Sequence, residues 1–183
     1  MRWNVSGLLK STVGEWREYS EAEDIGSFGN EAVTTAPLAG KVRLMRTNRG
    51  ILVNARLHTE IHLVCGRCLA EFAQPVNIDF SEEYLSTVDI NTGAILTIDD
   101  PDAFTIGADQ VLDLDEAIRQ YGLLEIPTYP VCKDDCAGLC PLCGSDRNTI
   151  PCACQNETID PRLSALQHLM KNGSGPIYTE FDA

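Results

Sequence analysis

The run ILVNARLHTEIHLVC, residues 51–65, alternates without a break. Val53, Ala55, Leu57, Thr59, Ile61, Leu63 and Cys65 fall on one side, and Asn54, Arg56, His58, Glu60 and His62 on the other. A period of two with one apolar face is the pattern of a half-buried antiparallel strand. Upstream, VRLMRT from Val42 leads through an Asn48-Arg49-Gly50 turn signal into it, and downstream Phe72 to Phe80 repeats the alternation through Val76 and Ile78. Three adjoining strands of this kind predict an α+β fold built on an antiparallel β-sheet meander or small open barrel. Two short helices and a cysteine-rich C-terminal module complete the expected fold.

Around this sheet the chain is less regular. Residues 1–10 read as a strand, and the next thirty, with Gly14, Gly26, Gly29, Pro37 and Gly40, as loop. Residues 89–106 read as a loop plus an edge strand over 94–98. A helix is expected from Asp113, capped by Asp113 with Glu116 reaching back, with Leu114, Ala117, Ile118, Tyr121 and Leu124 on one face. Pro127 and Pro130 stop it. A second helix opens at Asp160-Pro161, carries Leu163, Leu166, Leu169 and Met170, and ends near Gly173. The expected organisation is a mainly β domain over 1–126 with an acidic region at 79–116, a cysteine module with its helix over 127–172, and a tail over 173–183.

Eight cysteines stand in the chain, six of them in the run CKDDCAGLCPLCGSDRNTIPCAC from Cys132. Its centre, Cys140-Pro141-Leu142-Cys143-Gly144, has the form of a zinc knuckle, two thiols around a tight turn. A closed structural zinc site needs four ligands. Candidates are Cys132, Cys136, Cys140, Cys143, Cys152 and Cys154, four of which suffice, with Cys65 and Cys68 a possible additional pair. Two tetrahedral sites, or one site and spare thiols, both fit the count. A disulfide framework belongs to secreted chains, and residues 1–10 carry no apolar signal core; no stretch approaches eighteen apolar residues. The expected location is the cytoplasm, where structural Zn²⁺ on reduced thiols is the natural reading.

The 183 residues carry a net charge of −13, unevenly spread. Lys41, Arg43, Arg46, Arg49, Arg56 and Arg67 face one acid, Glu60, whereas residues 79–116 hold eleven acids and no Lys, Arg or His. The basic stretch reads as a solvated strand face or as the candidate RNA-contacting surface; the acidic run reads first as a flexible solubilising loop, and in a second reading attracts a basic protein partner. His58, Glu60 and His62 share a strand face and read as polar surface rather than a metal site. Arg67 reads as a turn residue salt-bridged to Glu71. The chain has no Gly-x-Ser-x-Gly elbow and no phosphate-cradling glycine loop. A non-enzymatic protein with no small-molecule substrate is expected, with thiol redox chemistry the weaker alternative.

Cys65-Gly66-Arg67-Cys68-Leu69 after a long strand, then Pro130-x-Cys132-x-x-x-Cys136-Ala137-Gly138-Leu139-Cys140-Pro141-Leu142-Cys143-Gly144, Cys152-x-Cys154 and Asp160-Pro161-Arg162-Leu163, resembles the YceD family over roughly residues 40–170. The resemblance implies a cytoplasmic, non-enzymatic factor supporting synthesis, processing or accumulation of large-subunit ribosomal RNA, and so ribosome assembly. Its partners would be that RNA, a pre-ribosomal particle, or a basic ribosomal protein. Members that keep the first cysteine pair without the later cluster imply separate roles for the two groups. Ser145-Asp146-Arg147-Asn148 departs from the Thr-Asn-Leu-Asn more usual after the glycine.

Overall fold

A computed structural model describes residues 1–29 and 32–154. The chain gathers into two compact units, Met1–Gly138 and Leu139–Ala183, and of the second residues 139–154 are described. The expected helix at 160–173 and the tail lie outside the described residues.

The first unit runs β1 (Arg2–Asn4), α1 (Ser6–Leu9), β2 (Trp16–Glu23), β3 (Leu38–Arg46), β4 (Gly50–Val64), β5 (Glu71–Ser86), β6 (Thr105–Ile106), β7 (Val111–Asp113) and α2 (Asp115–Leu124). Five strands form one open sheet in the order β2-β3-β4-β5-β6; the first four are antiparallel and β6 joins β5 in parallel. β1 pairs with β7 in a separate two-stranded ribbon. The architecture is α+β with an antiparallel meander at its centre, as the alternation at 51–65 demands.

Register follows from the same alternation. Val42 lies opposite Ala55 and Ala55 opposite Phe80, so one face of β3, β4 and β5 is mainly apolar. Leu44, Val53, Leu57, Ile61 and Ile78 are buried on it and meet Ala117 and Ile118 of α2 together with Val5, Leu8, Leu9 and Phe28 from the N-terminal segments. Each such side chain contributes about 1.5–3 kcal/mol on burial, which makes this core the main support of the unit. Thr59, the polar member of the inward set, is buried with its hydroxyl donating to the Ala36 carbonyl at 2.7 Å, so its polar atom is satisfied. Gly40 allows a close strand approach: a Cβ there would stand 2.1 Å from the Arg56 carbonyl oxygen.

Four local expectations are corrected. The segment read as loop contains β2, an eight-residue strand whose residues are exposed except for half-buried Tyr19, so it lacks a burial alternation. Residues 1–10 form a short strand followed by one helical turn, because Val5, Leu8 and Leu9 turn together into the core. The edge strand of the acidic region is Thr105–Ile106, where Ile106 is fully buried; at 94–98 only Ile95 makes a bridge, to Val88. Helix α2 starts at Asp115 with Leu114 as N-cap. Asp113 accepts the Asp115 amide at 2.9 Å, but Glu116 turns along the helix to Arg119 and Gln120, so no reciprocal cap forms.

Candidate metal centres

The hairpin connecting β4 to β5 is closed by the Cys65 amide donating to the Ala70 carbonyl and the Leu69 amide to the Cys65 carbonyl, both at 2.9 Å. This tight turn, with Leu69 at φ 60°, aims the Cys65 and Cys68 sulfurs the same way. The segment after α2 returns over it. Tyr129 lies on Gly66, where a Cβ would come within 2.7 Å of the ring, and its hydroxyl donates to the Gly66 carbonyl at 2.8 Å. The Gly66 amide donates to the Pro130 carbonyl at 2.8 Å.

This fastening brings Cys132 and Cys136 to Cys65 and Cys68, and the four sulfurs lie within 4.8 Å of one another. Cys65 stands 3.9 Å from Cys136, and Cys68 3.7 Å from Cys132. A tetrahedron of thiolates at the zinc–sulfur distance of about 2.3 Å has edges of about 3.8 Å. A disulfide needs about 2.05 Å, and all eight cysteines are free. Cys65, Cys68 and Cys136 are buried, which leaves little room for a fifth ligand.

The second unit carries the other group. Cys140, Cys143, Cys152 and Cys154 also place their sulfurs within 4.8 Å of one another, with Cys152 3.5 Å from Cys143 and 3.4 Å from Cys140. The knuckle turn is held by the Gly144 amide on the Cys140 carbonyl and the Cys140 amide on the Ser145 carbonyl, both 2.8 Å. Gly144 adopts φ 73°, a left-handed geometry open to glycine at little cost. Cys143 and Cys154 are exposed, so this group stands nearer to solvent than the first.

Electrostatics within both groups are those of crowded thiols. Burial opposes ionisation of Cys65, but the amides of Cys68, Cys132 and Arg67 outweigh it and bring the thiol down to about 6. Burial and the neighbouring sulfurs of Cys68, Cys65 and Cys136 push Cys132 up to about 12. In the second group the Ser145 hydroxyl, 2.7 Å away, and the Ser145 amide bring Cys143 down to about 6. Cys152 and Cys143 push Cys154 up to about 12. Four sulfurs this close could hold a soft cation, whose charge would offset their mutual repulsion on ionisation. Cys₄ sets fit structural zinc, because all four positions are protein sulfurs and none is left for a reacting water.

Cys65 and Cys68 therefore share a group with Cys132 and Cys136, across the separation implied for them by the family resemblance. Among the described residues, His58, Glu60 and His62 join no metal-ligating group. Arg67 does not pair with Glu71, which meets His62 at 3.4 Å; its guanidinium donates to the carbonyls of Asp134 and Cys136 at 3.2 and 3.1 Å and closes the first group from above.

The basic stretch divides. Lys41, Arg43 and Arg56 project from the outer face of β3 and β4 around a shallow groove with Asn54, Asp79 and Ser81. Glu18 of β2 pairs with both Lys41, at 3.4 Å, and Arg43, at 3.1 Å, and the Arg43 guanidinium stacks 4.8 Å from the centre of the exposed Trp16 ring. Glu18 and Trp16 come from the segment read as loop, and recognising an exposed strand there was the only route to them. Arg46 instead donates to the Gly50 carbonyl at 2.8 Å, Arg49 is exposed in the β3–β4 turn, and Arg67 sits at the cysteines. The acidic run is partly spent locally: Glu82 accepts from the Tyr121 hydroxyl, Glu83 from Thr47 at 2.7 Å, and Asp89 from the amides of Asn91 and Thr92. Among the described residues no helix is long and apolar enough to cross a membrane.

Comparison with known proteins agrees with the cysteine pattern. A protein of Mycobacterium tuberculosis, named only as uncharacterized, is 30% identical over 132 residues, which are 70% of this chain and 60% of that protein. YlbN of Bacillus subtilis, likewise named as uncharacterized, is 24% identical over 93% of this chain and 97% of its own length. A maize protein named large ribosomal RNA subunit accumulation protein YCED homolog 1, chloroplastic, is 28% identical over 83% of this chain and 61% of its own. The chain thus spans about three fifths of the length of the mycobacterial and maize relatives. No solved structure matches it. The family model described as large ribosomal RNA subunit accumulation protein YceD matches residues 53–170, from the central strand through both cysteine groups, and the chain belongs to the YceD family.

Proposed function

We propose that this protein is a non-enzymatic, zinc-braced factor that supports accumulation of large-subunit ribosomal RNA, acting in the cytoplasm on that RNA or on a pre-ribosomal particle. The family and the printed name of the maize relative support the process. The observation that carries the non-enzymatic part is the pair of closed four-thiol groups, each with a full tetrahedral set and no position for a substrate. Zinc at Cys65, Cys68, Cys132 and Cys136 would pin the segment after α2 to the central hairpin, and zinc at Cys140, Cys143, Cys152 and Cys154 would order a unit poor in apolar side chains. Direct RNA contact would fall to Lys41, Arg43 and Arg56, the cations that share one face.

A second reading has its own support: Glu18 already pairs with both Lys41 and Arg43 and cancels one of their two charges, and the whole chain stands at −13. Contact through a basic ribosomal protein then brings the factor to the RNA. The deciding experiment is depletion of the protein followed by complementation, reading the ratio of large- to small-subunit RNA. Wild type restores the ratio. A variant with Lys41, Arg43 and Arg56 all reversed to Glu fails if RNA is touched directly and succeeds if a protein bridges, in which case pull-down of the basic partner survives nuclease. An unchanged RNA ratio on depletion would overturn both readings.

A further inference from the structure

The two four-sulfur groups differ in how far solvent reaches them. In the first, Cys65, Cys68 and Cys136 are 0%, 8% and 5% exposed, and the Arg67 guanidinium lies across them on the carbonyls of Asp134 and Cys136. The Cys65 sulfur is further engaged by the amides of Arg67 and Cys132, each at 3.4 Å. In the second group Cys143 and Cys154 are exposed, Cys152 is half-buried, and Cys140 alone of the four is buried. A cavity of about 250 Å³, lined by Cys140, Cys152 and Cys154 with Pro141, Leu142 and Arg147, gives a further approach to three of these sulfurs.

We infer that the second group is an oxidisable site: a hydroperoxide links Cys143 to Cys152 and so discharges the zinc of that group, while the first group keeps its own. The inference rests on the reading that both groups hold zinc, and it concerns a modification of the protein rather than a catalytic turnover. Zinc ligation keeps a cysteine as its thiolate, and a thiolate oxidises according to its nucleophilic character and its access. Both groups share the character, and access divides them. The exposed Cys143 sulfur takes one oxygen from hydrogen peroxide as the O–O bond breaks and hydroxide leaves, giving a sulfenic acid. Cys152, 3.5 Å away, attacks that sulfur; the S–O bond breaks, a second hydroxide leaves, and the disulfide forms. Two electrons pass from two sulfurs to one peroxide, which is reduced to two hydroxide ions. Cys154 is exposed as well, but it stands two positions from Cys152, a separation too short for an unstrained bridge, whereas Cys143 stands nine positions away. With two ligands withdrawn, Cys140 and Cys154 offer half of a tetrahedral set, and a unit poor in apolar side chains loses what orders it.

The full chain, loaded with zinc and freed of excess reductant, is exposed to hydrogen peroxide while an indicator dye follows zinc release and peptide mass spectrometry maps the thiols. One zinc ion per chain should leave at least about tenfold faster than the other. At that stage Cys143 and Cys152 should be joined, with Cys65, Cys68, Cys132 and Cys136 still reduced. Dithiothreitol with added zinc should restore the lost ion, because the disulfide is the reversible rung of thiol oxidation. A chain carrying both Cys68→Ala and Cys132→Ala should release its remaining ion at the fast rate, and the wild-type map stands by itself should that variant fail to fold. Two ions leaving together, the first group emptying first, a fast bridge elsewhere than Cys143–Cys152, or release with no bridge overturns this inference and leaves the zinc-braced reading standing. A reduced chain that holds no zinc before peroxide is added overturns both.

Discussion

Replacing Cys136 by Ala should free the segment at 127–138 from the central hairpin while leaving the sheet intact. Ordering about a dozen residues costs on the order of 12–24 kcal/mol at about 1–2 kcal/mol each. Besides the Cys132 amide on the Cys65 sulfur, four hydrogen bonds to oxygen hold the segment down: Gly66 to the Pro130 carbonyl, the Tyr129 hydroxyl to Gly66, and Arg67 to the carbonyls of Asp134 and Cys136. At about 1 kcal/mol net each they supply roughly 4 kcal/mol. Zinc on four thiolates supplies about 10–16 kcal/mol, which closes the balance to within a few kcal/mol. With one ligand gone that support collapses. Hydrogen exchange read by mass spectrometry on the reduced, zinc-loaded protein is the assay. Protection at 127–138 and in the 65–70 turn should fall at least about a hundredfold in the variant, or in wild type with a strong chelator, whereas amides of β4 facing Val42 and Phe80 should change little because apolar burial holds them. Undiminished protection at 127–138 in both experiments would refute the reasoning.

Three further outcomes follow from particular contacts. Gly40→Ala should destabilise the first unit by about 3 kcal/mol or more, because the new methyl meets the Arg56 carbonyl at 2.1 Å, while Gly14→Ala, at φ 92° with open space around it, should cost only about 1 kcal/mol; thermal melts of the two variants compare them. Tyr84→Phe should be neutral or stabilising by about 1 kcal/mol, since its buried hydroxyl has no hydrogen-bond partner among the described residues. Burial, with Asp113 and Glu82 nearby, also raises the Tyr84 phenol above its usual range. Its neutral form is therefore favoured in the folded state, that stability is present below pH 10 and declines as pH rises further, and urea titrations from pH 8 to 11 should show the alkaline loss shrink in the variant. Zinc loading should release protons and strengthen as pH rises from 6 to 8, because Cys132 and Cys154, held up at about 12, must give up protons throughout, while Cys65 and Cys143, at about 6, finish ionising within this range. Competition against a zinc indicator dye at several pH values measures it, and a pH-independent affinity would contradict thiolate ligation.

The sheet was legible where one face is buried. At 51–65 each inward residue is forced apolar by the core it enters, so the strand, its neighbours and the shared face could be read directly. Strand β2 could not, because an edge strand in which Tyr19 alone is half-buried imposes no alternation on Trp16, Arg17 and Glu18. Glu18 was thereby missed, and the basic stretch read as more uniform than it is: in the fold Glu18 pairs with two of the six cations, a backbone carbonyl takes Arg46, and the cysteine turn takes Arg67. The cysteines were legible as metal-ligand chemistry from type and spacing, and their family from the whole pattern. Their partition was not, because it depends on a contact across 64 residues between Cys68 and Cys132 that only the return of the chain after α2 creates.

Native mass spectrometry of the full chain, purified with its thiols reduced, tests the central claim most directly. Two zinc ions per chain are predicted, falling to one when Cys68 and Cys132 are both replaced by Ala and to one when Cys143 and Cys152 are, each loss leaving the other group loaded. A metal-free chain, a single ion drawn from both groups, or mass deficits of intramolecular disulfides would contradict the account.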